Sequence, residues 1–277
     1  MNAFKTTILL TGLTLLLVLS GEYFGGTDGA LIAFAIAAAT NFFSYFYSDK
    51  LALAMYRAQP VTREELPRAY EVVERLTAKA GIPMPRIYVI PTDSPNAFAT
   101  GRNPQHASVA VTHGILGLLN DEELEGVLAH ELGHVRNRDI LTSSIAATIA
   151  SAITWAAQMA FFFGGRRDDD EGGNPIAALL MMLLAPIAAG LIQMAISRTR
   201  EFSADAASAQ YTGNPDELVS ALRKLEAYSK RIPMDVSPSM SHMYIIQPLS
   251  GKSLASLFST HPPTEERIAR LLSLRRS

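Results

Sequence analysis

The chain contains a five-residue run, His130 to His134, whose residue types and spacing suit metal-dependent hydrolysis. Its two histidines are four residues apart, and on a helix that spacing places both imidazoles on one face, where they can bind the same metal ion. Glu131 lies beside them, where its carboxylate can take a proton from a water molecule. The run therefore predicts a helix that carries a catalytic metal site.

A catalytic zinc site usually has three protein ligands, so the two histidines need a partner. Glu201 and Asp205 lie one helical turn apart further along the chain. We predict that Glu201 is the third ligand and that Asp205 accepts the free ring N–H of a ligand histidine, which fixes the orientation of the ring. The alternative is that Glu201 only forms a surface ion pair with Arg198 or Arg200.

The composition excludes several kinds of protein and site. The 277 residues carry a formal net charge of −2. The chain therefore lacks the excess of basic residues that is typical of nucleic-acid-binding proteins. The chain has no cysteine, which excludes disulfides, thiolate metal ligands and cysteine nucleophiles. Hydrophobic residues make up 48% of the chain and are concentrated in blocks, which indicates an integral membrane protein with a soluble remainder.

Four apolar blocks are each close to the ~20 residues that a helix needs to cross a bilayer. They predict two transmembrane helices within residues 1–48 and two within residues 140–197. The soluble part then consists of residues 49–139, with the two histidines, and residues 198–277, with Glu201. The first block is alternatively a cleaved signal peptide, and the last two are alternatively buried helices or a shallow hairpin. The blocks are Phe4–Ser20, Ala30–Ser48, Ile140–Phe163 and Pro175–Ser197.

Basic residues after the second block predict which side of the membrane the site is on. Several of them follow Asp49 closely, whereas residues 21–29 contain no lysine or arginine. By the positive-inside rule, the segment from Asp49 onward is cytoplasmic. His134 precedes the third block and Glu201 follows the fourth, so both lie on one side if these blocks cross the bilayer twice or not at all. The predicted metal site then lies close to the bilayer surface.

The first soluble segment is predicted to contain helices and strands. Thr62 and Glu65 have the spacing of a capping box and precede an amphipathic helix that ends at Gly81. Asn120 or Asp121 caps a second helix, which carries the two histidines. Between these helices three short strands are predicted, over residues 86–90, 96–101 and 107–112.

The second soluble segment is predicted to be helical around one long loop. Residues 200–209 form a helix, and a second helix begins with Asn214 at the cap position and Pro215 in the first turn. Residues 232–260 are rich in serine, proline and methionine and predict a long loop. A last helix is expected from Pro262 to about Leu274.

Four runs together resemble the HtpX family of membrane-bound zinc metalloproteases. They are Pro95–Gly101, Ala129–Asp139, Arg200–Asp205 and Ser259–Ile268, and the layout of the apolar blocks matches as well. The resemblance implies an integral membrane, mainly α protein with four apolar helices and a cytoplasmic α+β protease domain, zincin-like (thermolysin-like), with a small β-sheet. It also implies a location in the inner membrane and quality control of misfolded or damaged membrane proteins.

The residues and the resemblance together predict a mechanism. Zinc is held by His130, His134 and Glu201, while Glu131 takes a proton from the attacking water and returns it to the leaving amine. The family motif makes His261 the first candidate donor to the developing oxyanion. It also suggests that Arg267 holds the local geometry. His261 is alternatively a structural residue packed beneath the two prolines that follow it.

Two further assignments stay open. Asp139 either supports a ligand histidine, as Asp205 does, or caps the third apolar helix. The strand at residues 96–101 is either an edge that pairs with an extended substrate or an ordinary part of the sheet. The substrate-binding candidates on this strand are Asn96, Ala97, Phe98 and Ala99.

Two other functions compete with a quality-control protease. A prenyl-protein endopeptidase shares the motifs but predicts more membrane segments and a large enclosed chamber. A membrane scaffold with structural zinc needs a fourth protein ligand, which in a chain without cysteine would be His261 or Asp205. The expected partners are protein or peptide substrates, chiefly membrane proteins, and the lipid bilayer. The sequence does not predict the oligomeric state.

Overall fold

The computed structural model describes residues 2–139, 198–231, 245 and 262–276. The chain divides into two compact units. Among the described residues, the first unit holds residues 2–46 and the second holds the remainder. The third and fourth apolar blocks and His261 lie outside the described residues, as does all of the predicted loop over residues 232–260 except Ile245.

Helix α1 (Asn2–Met55) contains both N-terminal apolar blocks. At Gly26 the backbone leaves the helical region, with φ 58° and ψ −150°. A Cβ atom on Gly21 would overlap the carbonyl group of Gly29. Residues eight apart in a straight helix are ~12 Å apart, so the chain folds back at Gly26, between the two blocks. Within the part of the chain that the structure describes, no helix meets the combined length and hydropathy expected of a membrane-spanning segment.

The second unit contains a four-stranded sheet with the order β1-β2-β4-β3. Strand β4 pairs in parallel with β2 and antiparallel with β3, and β1 pairs antiparallel with β2. Strand β3 is therefore the last strand on one side of the described sheet. The three predicted strands are confirmed, whereas β1 was not predicted. The strands are β1 (Gln59–Pro60), β2 (Arg86–Ile90), β3 (Ala97–Thr100) and β4 (Ser108–Thr112).

Six further described helices belong to the second unit. Helix α4 begins with a capping box, in which Asn120 Oδ1 accepts the Glu123 N–H at 2.8 Å and Glu123 Oε2 accepts the Asn120 N–H at 2.9 Å. Of the two predicted cap residues, Asn120 is therefore the cap, and Asp121 is the first residue of the helix. The helices are α2 (Pro67–Ala80), α3 (His113–Leu118), α4 (Asp121–Asn137), α5 (198–212), α6 (Pro215–Arg231) and α7 (Thr264–Ser273).

The predicted start of α2 is wrong by several residues. The Thr62 N–H does donate to Glu65 Oε2, at 2.7 Å, but this contact closes a turn ahead of the helix. The helix itself begins at Pro67, since proline has the φ angle of the first helical turn and lacks only an N–H that would have no helical partner there. The predicted end is confirmed, because Gly81 terminates α2 in the left-handed conformation with φ 66°.

The main hydrophobic core lies between one face of the sheet and the helices of the second unit. It is formed by buried residues such as Leu76 of α2, Ile87 of β2, Val109 of β4 and Leu128 of α4. Side chains alternate along β4, so Ala110 faces the opposite side of the sheet, where a smaller cluster also contains Leu53, Ile90 and Phe98. The sheet is thereby fixed on both faces, and β3 is held next to α4.

Candidate metal centre

Helix α4 carries the two histidines and packs closely against α5. A Cβ atom on Gly133, inside the five-residue run, would lie 3.2 Å from Ala204 Cα. Seven residues earlier, the carbonyl oxygen of Gly126 accepts a hydrogen bond from Ser208 Oγ at 2.7 Å. The small residues let the two helices approach each other, and the approach brings Glu201 of α5 to the histidines. Glu201 is only 5% exposed, so it is not part of a surface ion pair.

His130, His134 and Glu201 form a cluster of three metal-binding groups. The two histidine Nε2 atoms are 3.2 Å apart, with the ring planes at 89°. Glu201 Oε2 lies 3.6 Å from His130 Nε2, and Glu201 Oε1 lies 3.4 Å from His134 Nε2. Tetrahedral coordination at zinc–ligand distances of ~2.0–2.2 Å places ligand atoms ~3.3–3.6 Å apart. The three groups therefore fit a zinc-sized ion.

Each histidine is held by its own carboxylate on the side away from the cluster. His130 Nδ1 lies 2.9 Å from Asp205 Oδ1, and His134 Nδ1 lies 3.1 Å from Asp139 Oδ2. Such carboxylates orient the ring and direct its other nitrogen toward the metal. The contact of Asp139 with His134 corresponds to the first of its two predicted roles. The third apolar helix, which Asp139 would otherwise cap, lies outside the described residues.

Arg267 of α7 supports the cluster through hydrogen bonds to Asp205. Its side chain is 1% exposed, and it donates from Nη2 to Asp205 Oδ1 at 2.6 Å and from Nε to Asp205 Oδ2 at 3.0 Å. Arg267 Nη1 donates to the carbonyl oxygen of Ile245 at 2.7 Å and lies 3.6 Å from Glu201 Oε2. Burial tends to raise the pKa of Asp205, but the Arg267 guanidinium and the contact with His130 together outweigh it and hold that pKa low. Arg267 therefore keeps Asp205 ionised beside His130.

The electrostatic environment of the histidines favours a cation. Burial alone would lower the pKa of both imidazoles, but neighbouring carboxylates outweigh it. Asp205 and Glu201 raise the pKa of His130, and Asp139 and Glu201 raise the pKa of His134 to about 10. A bound metal ion supplies the same positive charge while both imidazoles stay neutral.

Glu131 lies next to the cluster and is tied to strand β3. It is 7% exposed, and its Oε2 atom accepts a hydrogen bond from the Ala99 N–H at 2.8 Å. Burial raises the pKa of the Glu131 carboxyl group, and this effect exceeds that of the nearby histidines and of the Ala99 hydrogen bond. A carboxyl group beside a metal cluster can both take a proton from water and return it.

The four candidate substrate-binding residues have different surroundings. The Asn96 Oδ1 atom accepts the Ile245 N–H at 3.3 Å, and the Phe98 ring packs against Tyr56 with centroids 5.0 Å apart. Both of these side chains are therefore engaged inside the protein. Ala97 and Ala99 lie on the α4 side of the strand, in the main core. The sequence pattern did not reveal that the Ala99 amide contacts Glu131 or that Ile245 joins the site.

Comparison with known proteins places this geometry in a family. The model of peptidase family M48 matches residues 64–275, which include all three metal-binding groups and Arg267. The chain belongs to peptidase family M48. Since this match covers the His130–His134–Glu201 cluster, the protein is a metalloprotease.

Several relatives are similar in sequence to nearly the whole chain. A protein named "Protease HtpX homolog" from Desulfatibacillum aliphaticivorans is 56% identical over 279 residues, which cover 99% of this chain and 90% of that one. A protein of the same name from Pelotomaculum thermopropionicum is 54% identical over 276 residues, covering 98% of both chains. The resemblance to the HtpX family is therefore confirmed.

A solved structure shows a related fold. The crystal structure of S. mikatae Ste24p superimposes with a TM-score of 0.57 at 22% sequence identity. The match covers 98% of this chain and 65% of that chain. At this identity the similarity concerns the fold alone.

Proposed function

We propose that the protein is a zinc-dependent endopeptidase of the cytoplasmic (inner) membrane that hydrolyses misfolded or damaged membrane proteins at the cytoplasmic surface. The observation that carries the proposal is the buried His130–His134–Glu201 cluster with Glu131 beside it. Two imidazoles and a carboxylate, with an open fourth position, are the donor set of many catalytic zinc sites.

Glu131 is the general base in this proposal. When bound, zinc acts as a Lewis acid that polarises the scissile carbonyl group. The Glu131 carboxylate takes a proton from the attacking water and passes it to the leaving amine, a role that its raised pKa favours. Asp205 and Asp139 keep the ligand imidazoles oriented, and Arg267 keeps Asp205 in place. His261 remains the candidate donor to the oxyanion.

The edge strand β3 is the proposed docking site for an extended substrate. Main-chain pairing along Ala97 and Ala99 binds a peptide without strong demands on its side chains, which suits an enzyme that removes many different damaged proteins. Asn96 and Phe98 contribute indirectly, because their side chains fix the strand through Ile245 and Tyr56.

The membrane location in this proposal is supported by the sequence. Four apolar blocks of spanning length and the basic residues after Asp49 support a cytoplasmic location of the soluble segments. The two ligand histidines precede the third block, and Glu201 follows the fourth. An even number of membrane crossings between them therefore leaves all three ligands on the same side of the membrane. These features support multi-pass insertion with the site at the bilayer surface.

A structural zinc site is less well supported. Such a site needs a fourth protein ligand. Asp205 is already engaged by His130 Nδ1 and by two nitrogen atoms of Arg267, so it faces away from the cluster. That leaves His261 as the remaining candidate fourth ligand from the sequence analysis.

Cleavage of an unstructured protein tests the proposal directly. Full-length protein in detergent is incubated with fluorescein-labelled β-casein as isolated, after chelation, and after zinc is restored. Glu131→Gln should keep stoichiometric zinc and lose activity by roughly 10²–10⁴-fold, the contribution of a general base. Glu122→Gln, an exposed position on the same helix, is the matched control and should cleave as wild type does. Full activity of the Glu131→Gln variant would refute the mechanism.

A further inference from the structure

The pairing of β3 with β4 determines which main-chain groups of β3 face away from β4. Thr112 N–H donates to the Asn96 carbonyl oxygen at 3.0 Å, and the antiparallel register continues from this pair. Hydrogen-bonded pairs alternate along an antiparallel ladder, so Phe98 and Thr100 bond to β4. The amides of Ala97 and Ala99 point away from β4, toward the outer edge of the sheet as far as the structure describes it.

The Ala99 amide is committed to Glu131. The distance from the Ala99 nitrogen to Glu131 Oε2 is 2.8 Å, and the two residues are 6% and 7% exposed. A buried N–H requires a partner, and a buried carboxylate requires donors in place of water. Each group supplies what the other lacks, and a hydrogen bond to an ionised acceptor is among the stronger ones in proteins.

We propose that the main-chain amide of Ala99 is a positioning group that holds the Glu131 carboxylate in the orientation needed for proton transfer. The contact fixes Oε2 and stops rotation of the carboxylate, which leaves Oε1 to take the proton of the attacking water. An extended substrate then pairs with the N–H and C=O of Ala97 and with the C=O of Ala99, because the Ala99 N–H is already used. The inference rests on the proposed role of Glu131 as general base.

The alternative use of the same N–H is direct binding of substrate, and kinetics separate the two. A group that orients the base affects kcat, whereas a group that binds the ground state and the transition state equally affects KM. Small misplacements of catalytic groups cost up to about 100-fold in rate. Loss of the Ala99 N–H should therefore lower kcat by about 10- to 100-fold and change KM by less than about threefold.

Ala99→Pro removes this N–H without removing a hydrogen bond of the β-ladder, because proline is compatible with outward-facing positions of an edge strand. Ala97→Pro is the matched comparison: the same residue type, strand and outward direction, but two positions away from the Glu131 contact. Full-length, zinc-loaded protein is assayed with fluorescein-labelled β-casein. We expect Ala97→Pro to raise KM and preserve kcat, the reverse of Ala99→Pro. An unchanged kcat in a folded Ala99→Pro variant would overturn the inference.

Two further measurements do not depend on proline being accommodated. Replacing Ala99 by lactic acid substitutes an ester for the amide and should lower kcat as proline does. In a Glu131→Gln background, loss of the Ala99 amide should change the residual rate by less than about twofold, because groups that act as a unit are not additive. Additive losses would show that Ala99 acts independently of Glu131 and would overturn the proposal.

Hydrogen exchange tests the contact without any assay of activity. In Glu131→Ala, the amide of Ala99 should exchange faster than in wild type, while the amide of Phe98, which bonds to β4, should not. Unchanged protection of the Ala99 amide would contradict the inference even if the enzyme is active. By contrast, a fully active Glu131→Gln variant would refute the proposed mechanism without contradicting the contact between Ala99 and Glu131.

Discussion

Replacing Arg267 by methionine should destabilise the second unit far more than a surface substitution would. Arg267 is 1% exposed and donates to both oxygen atoms of Asp205 and to the carbonyl oxygen of Ile245. Methionine has a similar length but no donors. The Asp205 carboxylate, with a side chain 3% exposed, would then be a buried anion without its cation.

The expected loss can be worked out from these contacts. Breaking a buried ion pair by removing one partner costs about 3–5 kcal/mol, because the remaining charge is uncompensated. Proteins are stable by about 5–15 kcal/mol in total, so the loss is a large fraction of the free energy of unfolding. For a unit of about 175 residues, each kcal/mol shifts Tm by about 2–4 °C, and we expect a decrease of roughly 6–20 °C.

The assay is thermal unfolding of the full-length protein in detergent, followed by circular dichroism. A chelator is present throughout, so that stabilisation by bound metal is absent from every protein compared. Arg270→Met is the matched control, since Arg270 lies on the same helix, is 57% exposed and pairs with Glu266 on the surface. Its Tm should change by less than about 3 °C. Equal shifts in the two variants would refute the argument from burial.

Three further outcomes follow from the structure and the sequence. Glu201→Ala should lose its zinc on gel filtration, and a stoichiometric zinc content by atomic emission would disprove its role as a ligand. Burial and the nearby carboxylates of Glu125 and Glu122 raise the pKa of Glu217 to about 7. Protonation of Glu217 therefore stabilises the fold at low pH, and this contribution is lost as the pH rises from about 4.5 to about 7. Glu217→Gln should have a higher Tm than wild type at pH 8 and a similar one near pH 4.5, and a constant difference across this range would contradict the shift. Because the chain has no cysteine, a single introduced cysteine reports on which side of the membrane it lies. Asp28→Cys should react with an impermeant maleimide in intact cells, whereas Glu64→Cys should react only in broken cells. The reverse pattern would place the site outside the cytoplasm.

Features that depend on neighbouring residues in the sequence could be predicted. The cap of α4 at Asn120 or Asp121, the left-handed end of α2 at Gly81 and the strand at residues 86–90 each follow from a few adjacent residues and the preferences of the backbone. The two histidines lie on one face of α4 for the same reason. The start of α2 was predicted wrongly because the spacing of Thr62 and Glu65 fits a turn as well as the first turn of a helix. The helix begins only at Pro67.

Features that depend on packing between distant segments could be predicted only as candidates. Glu201 was the right residue type at a reasonable place, but its position beside the histidines requires the close contact of α5 with α4 at Gly133. The support of Asp205 by Arg267 depends on how α7 packs, and the order of the strands depends on the whole core. No local pattern encodes the hydrogen bond of Ala99 to Glu131, because main-chain amides are the same in every residue.

The order in which the parts of the metal site are made also matters for the cell. His130 and His134 leave the ribosome first, Glu201 follows roughly 65 residues later, and Arg267 roughly 65 residues after that. At about 5–20 residues per second, the second interval alone lasts about 3–13 s. During this time the nascent chain has its histidines but neither a supported third ligand nor a complete core. Until Arg267 has been synthesised, the metal site therefore lacks the cation that holds Asp205 in place beside His130.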